Sequence, residues 1–158
     1  MPAEAFLLSI AGLGVSLAGF SGLVAAFRRG AGWKPLDAYR LRQIPEMGLA
    51  TAVTSLATIP TAGMLGAATS AIRAVAVLAL AFTLVQVLVL WFRARAMGFK
   101  LSTLNVWVAA GIDLGVYVAG AAAIVTAAAW ALEWTLILLL ARPMLAFVLV
   151  LADVSAPD

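Results

Sequence analysis

The chain has 158 residues, of which 65% are hydrophobic and only 11% are charged, and its mean hydropathy is +1.12. Soluble globular domains are about 45–50% apolar and about 25% charged, and a small domain leaves much of its surface in water, so this composition excludes an ordinary soluble domain. The net charge of +3 does not indicate nucleic-acid binding, because the basic residues stand between apolar segments and not in a patch interleaved with aromatic side chains.

Five apolar segments follow one another along the chain, each long enough to cross about 30 Å of hydrocarbon as a helix. The sequence therefore predicts an all-α fold, a polytopic bundle of about five transmembrane helices that forms one membrane domain over 1–158. No Gly or Pro marks a turn between the last two segments, so one longer bent helix is the alternative there. The predicted spans are 5–27, 47–68, 72–92, 104–126 and 131–151.

Two prolines fall inside predicted spans, Pro60 in the second and Pro143 in the fifth. A proline ring removes one helical hydrogen bond, so each predicts a kink. Membrane helices tolerate such a residue where neighbouring groups satisfy the freed carbonyl.

Two basic connectors, 28–46 and 93–103, separate the spans, and the centre of the first, 36–44, predicts a short helix at the membrane surface. Eight of the ten Lys and Arg residues fall in these connectors. The positive-inside rule then places both connectors in the cytoplasm, with the N-terminus outside and the C-terminus inside. The eight residues are Arg28, Arg29, Lys34, Arg40, Arg42, Arg93, Arg95 and Lys100.

Two charged residues stand far from the ends of predicted spans. Asp113 lies nine residues after the start of the fourth span and Arg142 nine residues before the end of the fifth, so both are about 13–14 Å deep at 1.5 Å per residue. A charge at mid-bilayer costs about 2.5–3.5 kcal/mol on insertion scales, so we predict an ion pair, within one chain or between copies. Two roles remain open: the pair fixes helix register, or it lines an ion or proton pathway. Tyr117, one turn from Asp113, is a candidate hydrogen-bond partner.

Hydroxyl groups follow one face of the second span. Four threonines recur at spacings of three, four and three residues, which is one helical face. Either each hydroxyl bonds its own helix or a neighbouring helix as a packing contact, or the stripe lines a hydrated pathway. Gln86, in the third span, is a further polar group that we expect to face away from lipid. The threonines are Thr51, Thr54, Thr58 and Thr61.

Small residues recur every four positions in the first and fourth spans. Such ladders let helix backbones approach closely, and packing drives helix association in lipid. Packing within one chain and self-association both remain open. The ladders are Gly14, Ala18, Gly22 and Ala26 in the first span and Gly111, Gly115, Ala119 and Ala123 in the fourth; the first span has a second small face of Ser9, Gly12, Ser16 and Gly19.

Cysteine and histidine are both absent. Disulfides, thiolate metal sites and S-acylation are therefore excluded, and the commonest metal ligand and general base is missing. The sequence has no nucleophile–base pair and no phosphate-binding loop. We therefore expect no enzymatic activity and no bound cofactor or metal.

The stretch Val15–Val24 reads Val-Ser-Leu-Ala-Gly-Phe-Ser-Gly-Leu-Val, and the basic connector after it contains Arg40-Leu41-Arg42. In these residues the first third of the chain resembles small uncharacterised bacterial multi-pass membrane proteins with a Ser-Leu-Ala-Gly-Phe first span. The resemblance implies a bacterial inner-membrane location. It implies no activity and assigns no functional residues.

Two functions fit these features. The first is a small ion-permeation or transport unit that uses the intramembrane charges, the threonines and the kinks; the second is a non-transporting accessory or structural subunit of a membrane complex. In both, the partners are the lipid bilayer and copies of the chain or other membrane subunits. We expect a homo-oligomer, because five short spans leave little protein to enclose a cavity alone. Asp113 and Thr58 facing a solvated axis would favour permeation, whereas dry packing of both would favour the subunit.

Overall fold

The computed structural model describes residues 2–27, 35–96 and 104–155. Over these residues the fold is all-α, with five helices and no strand. All five are long and apolar enough to cross a membrane, which confirms the predicted fold class: the chain is a multi-pass membrane protein. The helices are α1 (Glu4–Phe27), α2 (Pro35–Leu65), α3 (Ala68–Ala96), α4 (Leu104–Thr126) and α5 (Ala129–Ser155).

Helix α2 is longer than the sequence predicts. It begins at Pro35, so residues 36–44 form its first turns and not a separate surface helix. Proline is favoured in the first turn of a helix, where its missing N–H has no intrahelical acceptor in any case. The helix also continues through Pro45 and Pro60, as α5 continues through Pro143.

Two short turns use residues with positive φ. Gly66, with φ of 65°, follows the last residue of α2, and Ala127, with φ of 52°, follows the last residue of α4. A residue in this left-handed conformation commonly ends a helix, and glycine adopts it without steric cost. The turn at Ala127 makes α4 and α5 separate helices, which excludes the single bent helix.

Successive helices run antiparallel, so the bundle has two ends. We call the end where α1, α3 and α5 finish and where α2 and α4 begin the basic end. There the Arg93 guanidinium of α3 lies 5.7 Å from the ring centre of Tyr39 of α2. At the opposite end, Arg73 Nε of α3 donates a hydrogen bond to the carbonyl oxygen of Ile124, in the last turn of α4, at 3.0 Å. The predicted connector residues 28–34 and 97–103 lie outside the described residues.

The core of the bundle is mainly apolar, and α5 contacts all four other helices. Its largest cluster joins buried side chains of α1, α3, α4 and α5, including Leu7, Ile72, Val116, Leu132 and Leu136. The outward faces are apolar as well, as a lipid environment requires. Exposed side chains of this kind include Val53, Val77, Leu114 and Val148.

Candidate functional site

The two intramembrane charges form a salt bridge within one chain. Asp113 lies thirteen residues before the end of α4, and Arg142 lies thirteen residues after the start of α5. Because the two antiparallel helices are joined by a two-residue turn, equal distances from that turn place both residues at the same level. Both residues are buried in the bundle, since Asp113 is only 8% exposed and Arg142 only 9%.

The salt bridge is bidentate. Arg142 Nε donates to Asp113 Oδ1 and an Arg142 Nη donates to Asp113 Oδ2, both at 2.8 Å. This fork-to-fork geometry is the strongest and most directional arrangement that the two groups can form. The sequence predicted a pair and left open whether it joins one chain or two; the structure forms it between α4 and α5 of the same chain.

Polar side chains extend from this salt bridge to the basic end. The phenol of Tyr39, on α2, lies within range of electrostatic interaction with Arg142 and Arg93. Gln43, one turn further along α2, is buried and donates from Nε2 to the Tyr39 hydroxyl at 2.6 Å. Neither residue is predicted as a site residue from the sequence, because both lie in the segment predicted to be a connector. Their spacing of four positions, on a helix that already begins at Pro35, is the signal that identifies them.

Tyr117 lies one turn from Asp113 on α4, within range of electrostatic interaction with its carboxylate. The Asp113 oxygens are engaged by Arg142. The described hydrogen bonds do not include the contact between Tyr117 and Asp113 that the sequence suggested.

The threonine stripe of α2 bonds to its own helix. Each of the four hydroxyls donates to the carbonyl four residues earlier, at 2.6–3.3 Å. Thr51, Thr54 and Thr58 are buried, and Thr61 is partly buried. Each hydroxyl therefore donates its hydrogen bond within α2. This arrangement corresponds to the interpretation of the stripe as a packing contact and not as the lining of a hydrated pathway.

Ser55, beside the stripe, makes a bond between helices. Its buried hydroxyl donates to the carbonyl oxygen of Leu7, in α1, at 2.8 Å. This bond is directional and therefore fixes how far α1 and α2 are displaced along each other. Gln86, on α3, is half-buried, and no described hydrogen bond joins it to the other predicted residues.

The first small-residue ladder packs within the chain at one end only. A Cβ on Gly14 would overlap the carbonyl oxygen of Gly48, and a Cβ on Gly48 would lie 2.5 Å from the carbonyl oxygen of Gly14. We call this contact the α1–α2 crossing. Ala18 lies next to it, whereas a Cβ on Gly22 would meet no atom within 4 Å. The two helices thus diverge from the crossing towards the basic end.

The ladder on α4 is divided in the same way. A Cβ on Gly115 would lie 3.1 Å from Leu138 Cδ1, so Gly115 packs against α5. Gly111 is exposed and has open space around it.

On α1, the second small face is entirely exposed, and Gly12 and Gly19 have open space as well. The two small faces of α1 therefore differ. The first ladder packs against α2 at Gly14, whereas the glycines of the second small face contact no other helix in the described part of the chain.

No protein family, curated protein or solved structure matches this chain. Among the described residues, no three acidic side chains are grouped to hold a metal ion, and no buried side-chain nitrogen or oxygen lacks a hydrogen-bond partner.

Proposed function

We propose that the chain is a non-transporting structural subunit of a membrane assembly. The observation that carries this proposal is the enclosed, bidentate Asp113–Arg142 salt bridge. A group that passes ions or protons must exchange its partners with the transported species, whereas both oxygens of this carboxylate are engaged by one guanidinium. In the same way, Thr58 is fully buried and bonded to its own helix.

A permeation role has one feature in its favour. Polar side chains run from the basic end to the centre of the bundle through Tyr39, Gln43 and Arg142. Beyond Asp113, apolar side chains such as Val116 and Leu136 are joined by buried hydroxyls that bond to backbone carbonyls, as Thr135 does to Ala131 at 2.8 Å. Hydroxyls that are bonded within the protein support a buried structural network better than a pathway.

We further propose that the chain self-associates through the exposed small face of α1, which we call the outer α1 face (Ser9, Gly12, Ser16 and Gly19). Because lipid tails are as apolar as leucine, helices in a membrane associate where small residues permit close backbone contact. This face has open space at Gly12 and Gly19 and is not covered by the described part of the chain. The bacterial inner membrane, with the basic end in the cytoplasm, is the proposed location. No catalytic activity is part of the proposal.

Flux measurements test the main proposal. The purified protein is reconstituted into liposomes under separate proton, potassium and chloride gradients, and each gradient is expected to decay no faster than in protein-free liposomes. Accelerated decay that Asp113→Asn abolishes would overturn the structural role and establish permeation.

Disulfide cross-linking tests self-association, and the absence of natural cysteine provides a clean background. Gly12→Cys in native membranes is expected to give a disulfide-linked dimer on mild oxidation. The matched control is Val77→Cys, since Val77 is also exposed and lies at a similar distance from the opposite end, on α3. Equal cross-linking of the two variants, or none with Gly12→Cys, would contradict association through the outer α1 face.

A further inference from the structure

A cleft opens between α1 and α2 where the two helices diverge from their crossing. Its volume is about 280 Å³. One wall comes from the last turns of α1 and the other from the first turns of α2. We call it the α1–α2 cleft; it is lined by Ser21, Gly22, Ala25, Ala38, Leu41, Arg42 and Pro45.

The walls of the α1–α2 cleft are mainly alkyl groups and one charged side chain. Leu41, Pro45 and the alanines supply apolar surface, and Arg42 supplies a guanidinium. The side chain of Arg42 is 65% exposed, and its Nε donates to Glu46 Oε1 at 2.8 Å. A guanidinium has five N–H donors, so the described contact orients Arg42 and leaves its Nη groups for a further acceptor.

Leu41 and Pro45, which both line the cleft, also change the backbone hydrogen bonding of α2. Pro45 has no N–H, so the carbonyl of Leu41, four residues earlier, lacks its regular helical donor. A ligand that places an anionic group on Arg42 and a hydroxyl near Leu41 matches both features. The volume of the cleft, about 280 Å³, is close to the lower limit for small-molecule sites, about 300 Å³. A cleft of this size suits a lipid headgroup with the beginning of an acyl chain.

The position of the α1–α2 cleft decides where such a ligand comes from. Ala25 lies two residues before the end of α1 and Ala38 three residues after the start of α2, so the cleft is at the level of lipid headgroups. The segment from Arg28 to Glu46 carries five basic and two acidic residues. Basic pockets between transmembrane helices attract anionic headgroups.

We propose that the α1–α2 cleft is a binding site for one anionic phospholipid, of the phosphatidylglycerol type. The phosphate contacts Arg42, a headgroup hydroxyl donates to the Leu41 carbonyl, and the acyl chain lies along the apolar wall beside Gly22. This site goes beyond the proposed structural role, since it is formed by residues of α1 and α2, whereas the salt bridge joins α4 to α5.

The test compares spin-labelled phosphatidylglycerol and phosphatidylcholine at the protein surface by electron paramagnetic resonance. The protein is held in bilayers of phosphatidylcholine, and the measured quantity is the preference for phosphatidylglycerol. Arg42→Gln removes the cation, and Gly22→Leu fills the cleft without changing charge. Arg42→Gln is expected to lower the preference about fivefold, the contribution of one basic residue near a lipid surface. Gly22→Leu is expected to lower it as well, because the added side chain occupies the cleft. Ala38→Leu fills the cleft from α2 and replaces Gly22→Leu if that variant does not fold.

Two matched controls separate the cleft from general charge attraction. Gly111→Leu introduces the same side chain at a glycine with open space on α4, and Arg73→Gln removes an exposed arginine at the opposite end. Both are expected to keep the wild-type preference. If Gly22→Leu and Ala38→Leu keep it too, the attraction is diffuse and the proposed site is wrong. A second measurement separates the lipid from its phosphate. If inorganic phosphate alone, in neutral detergent, raises the thermal unfolding midpoint as much as phosphatidylglycerol does, a lipid is not the ligand and the proposal is wrong.

Discussion

The two helix pairs α1–α2 and α4–α5 are held together by opposite means. Helices α1 and α2 approach most closely at Gly14 and Gly48, where neither has a side chain. Helices α4 and α5 are joined instead by two charged side chains, those of Asp113 and Arg142. Hydrophobicity cannot select partners in lipid, because every outward face is apolar. Close backbone contact and a directional charge pair are two different ways to give a helix pair one arrangement.

The difference predicts how each pair fails. A charge pair depends on both of its members, since either one alone is a buried, uncompensated charge. A glycine contact depends on available space, so it fails when a side chain is added. The variants below test this contrast, from the largest expected loss of stability to the smallest effect.

The largest effect is expected for Asp113→Leu, which leaves Arg142 buried and unpaired. Breaking a buried pair in this way costs about 3–5 kcal/mol, measured as the loss of unfolding free energy in detergent. The double variant Asp113→Leu/Arg142→Met is expected to recover most of the loss, and so is the charge-swapped Asp113→Arg/Arg142→Asp. Glu46→Gln is the control, because the exposed pair of Arg42 and Glu46 contributes about 1 kcal/mol or less. Equal stability of Asp113→Leu and wild type would show that the salt bridge does not hold α4 to α5.

Next in size is Gly14→Val, which places side-chain atoms against the Gly48 backbone. Overpacking of this kind costs about 1–3 kcal/mol, and backbone atoms cannot move aside as a side chain can. The thermal unfolding midpoint is expected to fall. Gly111→Val, on α4 and with open space around it, should leave the midpoint near that of the wild type, because it lies neither at the α1–α2 crossing nor on the outer α1 face. A similar fall for both valines would point to helix propensity and not to the α1–α2 crossing.

A smaller loss is expected for Ser55→Ala, which removes the hydrogen bond from α2 to the Leu7 carbonyl. Bonds between membrane helices contribute about 0.6 kcal/mol on average and up to about 1.7. Thr54→Val is the comparison, because the Thr54 hydroxyl bonds only its own helix at Ala50. We expect Thr54→Val to change the unfolding free energy less than Ser55→Ala does, and the reverse order would contradict the distinction between the two hydroxyls.

The smallest effect is a gain. Ala127 follows α4 with a φ of 52°, a conformation that costs a residue with a Cβ about 1–2 kcal/mol relative to glycine. Glycine loses more backbone entropy on folding, by about 0.5–1 kcal/mol, so Ala127→Gly is expected to raise stability by up to about 1.5 kcal/mol. Ala128→Gly, at the next position of the turn, is the control and is expected to bring no gain.

Features that depend on position along the chain were predictable from the sequence. The five spans follow from the length of the apolar segments, and the common level of Asp113 and Arg142 follows from counting residues along two antiparallel helices. The start of α2 was not predictable in the same way, because glycine, proline and charge near Pro35 are equally typical of a connector.

Features that depend on helix rotation were not predictable. The sequence offered two small faces on α1 without indicating which one meets α2, and Gly48 was not identified as the partner of Gly14. Its spacing of three positions from Thr51, on the threonine face of α2, is the signal that was available. Whether a hydroxyl bonds its own helix or a neighbouring helix also depends on the direction of the side chain. The sequence does not give that direction, so it could not show that Thr54 bonds within α2 while Ser55 bonds to α1.

The salt bridge joins residues that are 29 positions apart in the chain, and this spacing has a consequence during synthesis. At about 5–20 residues per second, the ribosome makes Arg142 some 1.5–6 seconds after Asp113. Throughout that interval α4 carries a carboxylate whose counter-charge does not yet exist. Entry of α4 and α5 into the bilayer as one hairpin, after translation of both, avoids exposing either charge to hydrocarbon, and the two-residue turn at Ala127 keeps the partners adjacent when they enter.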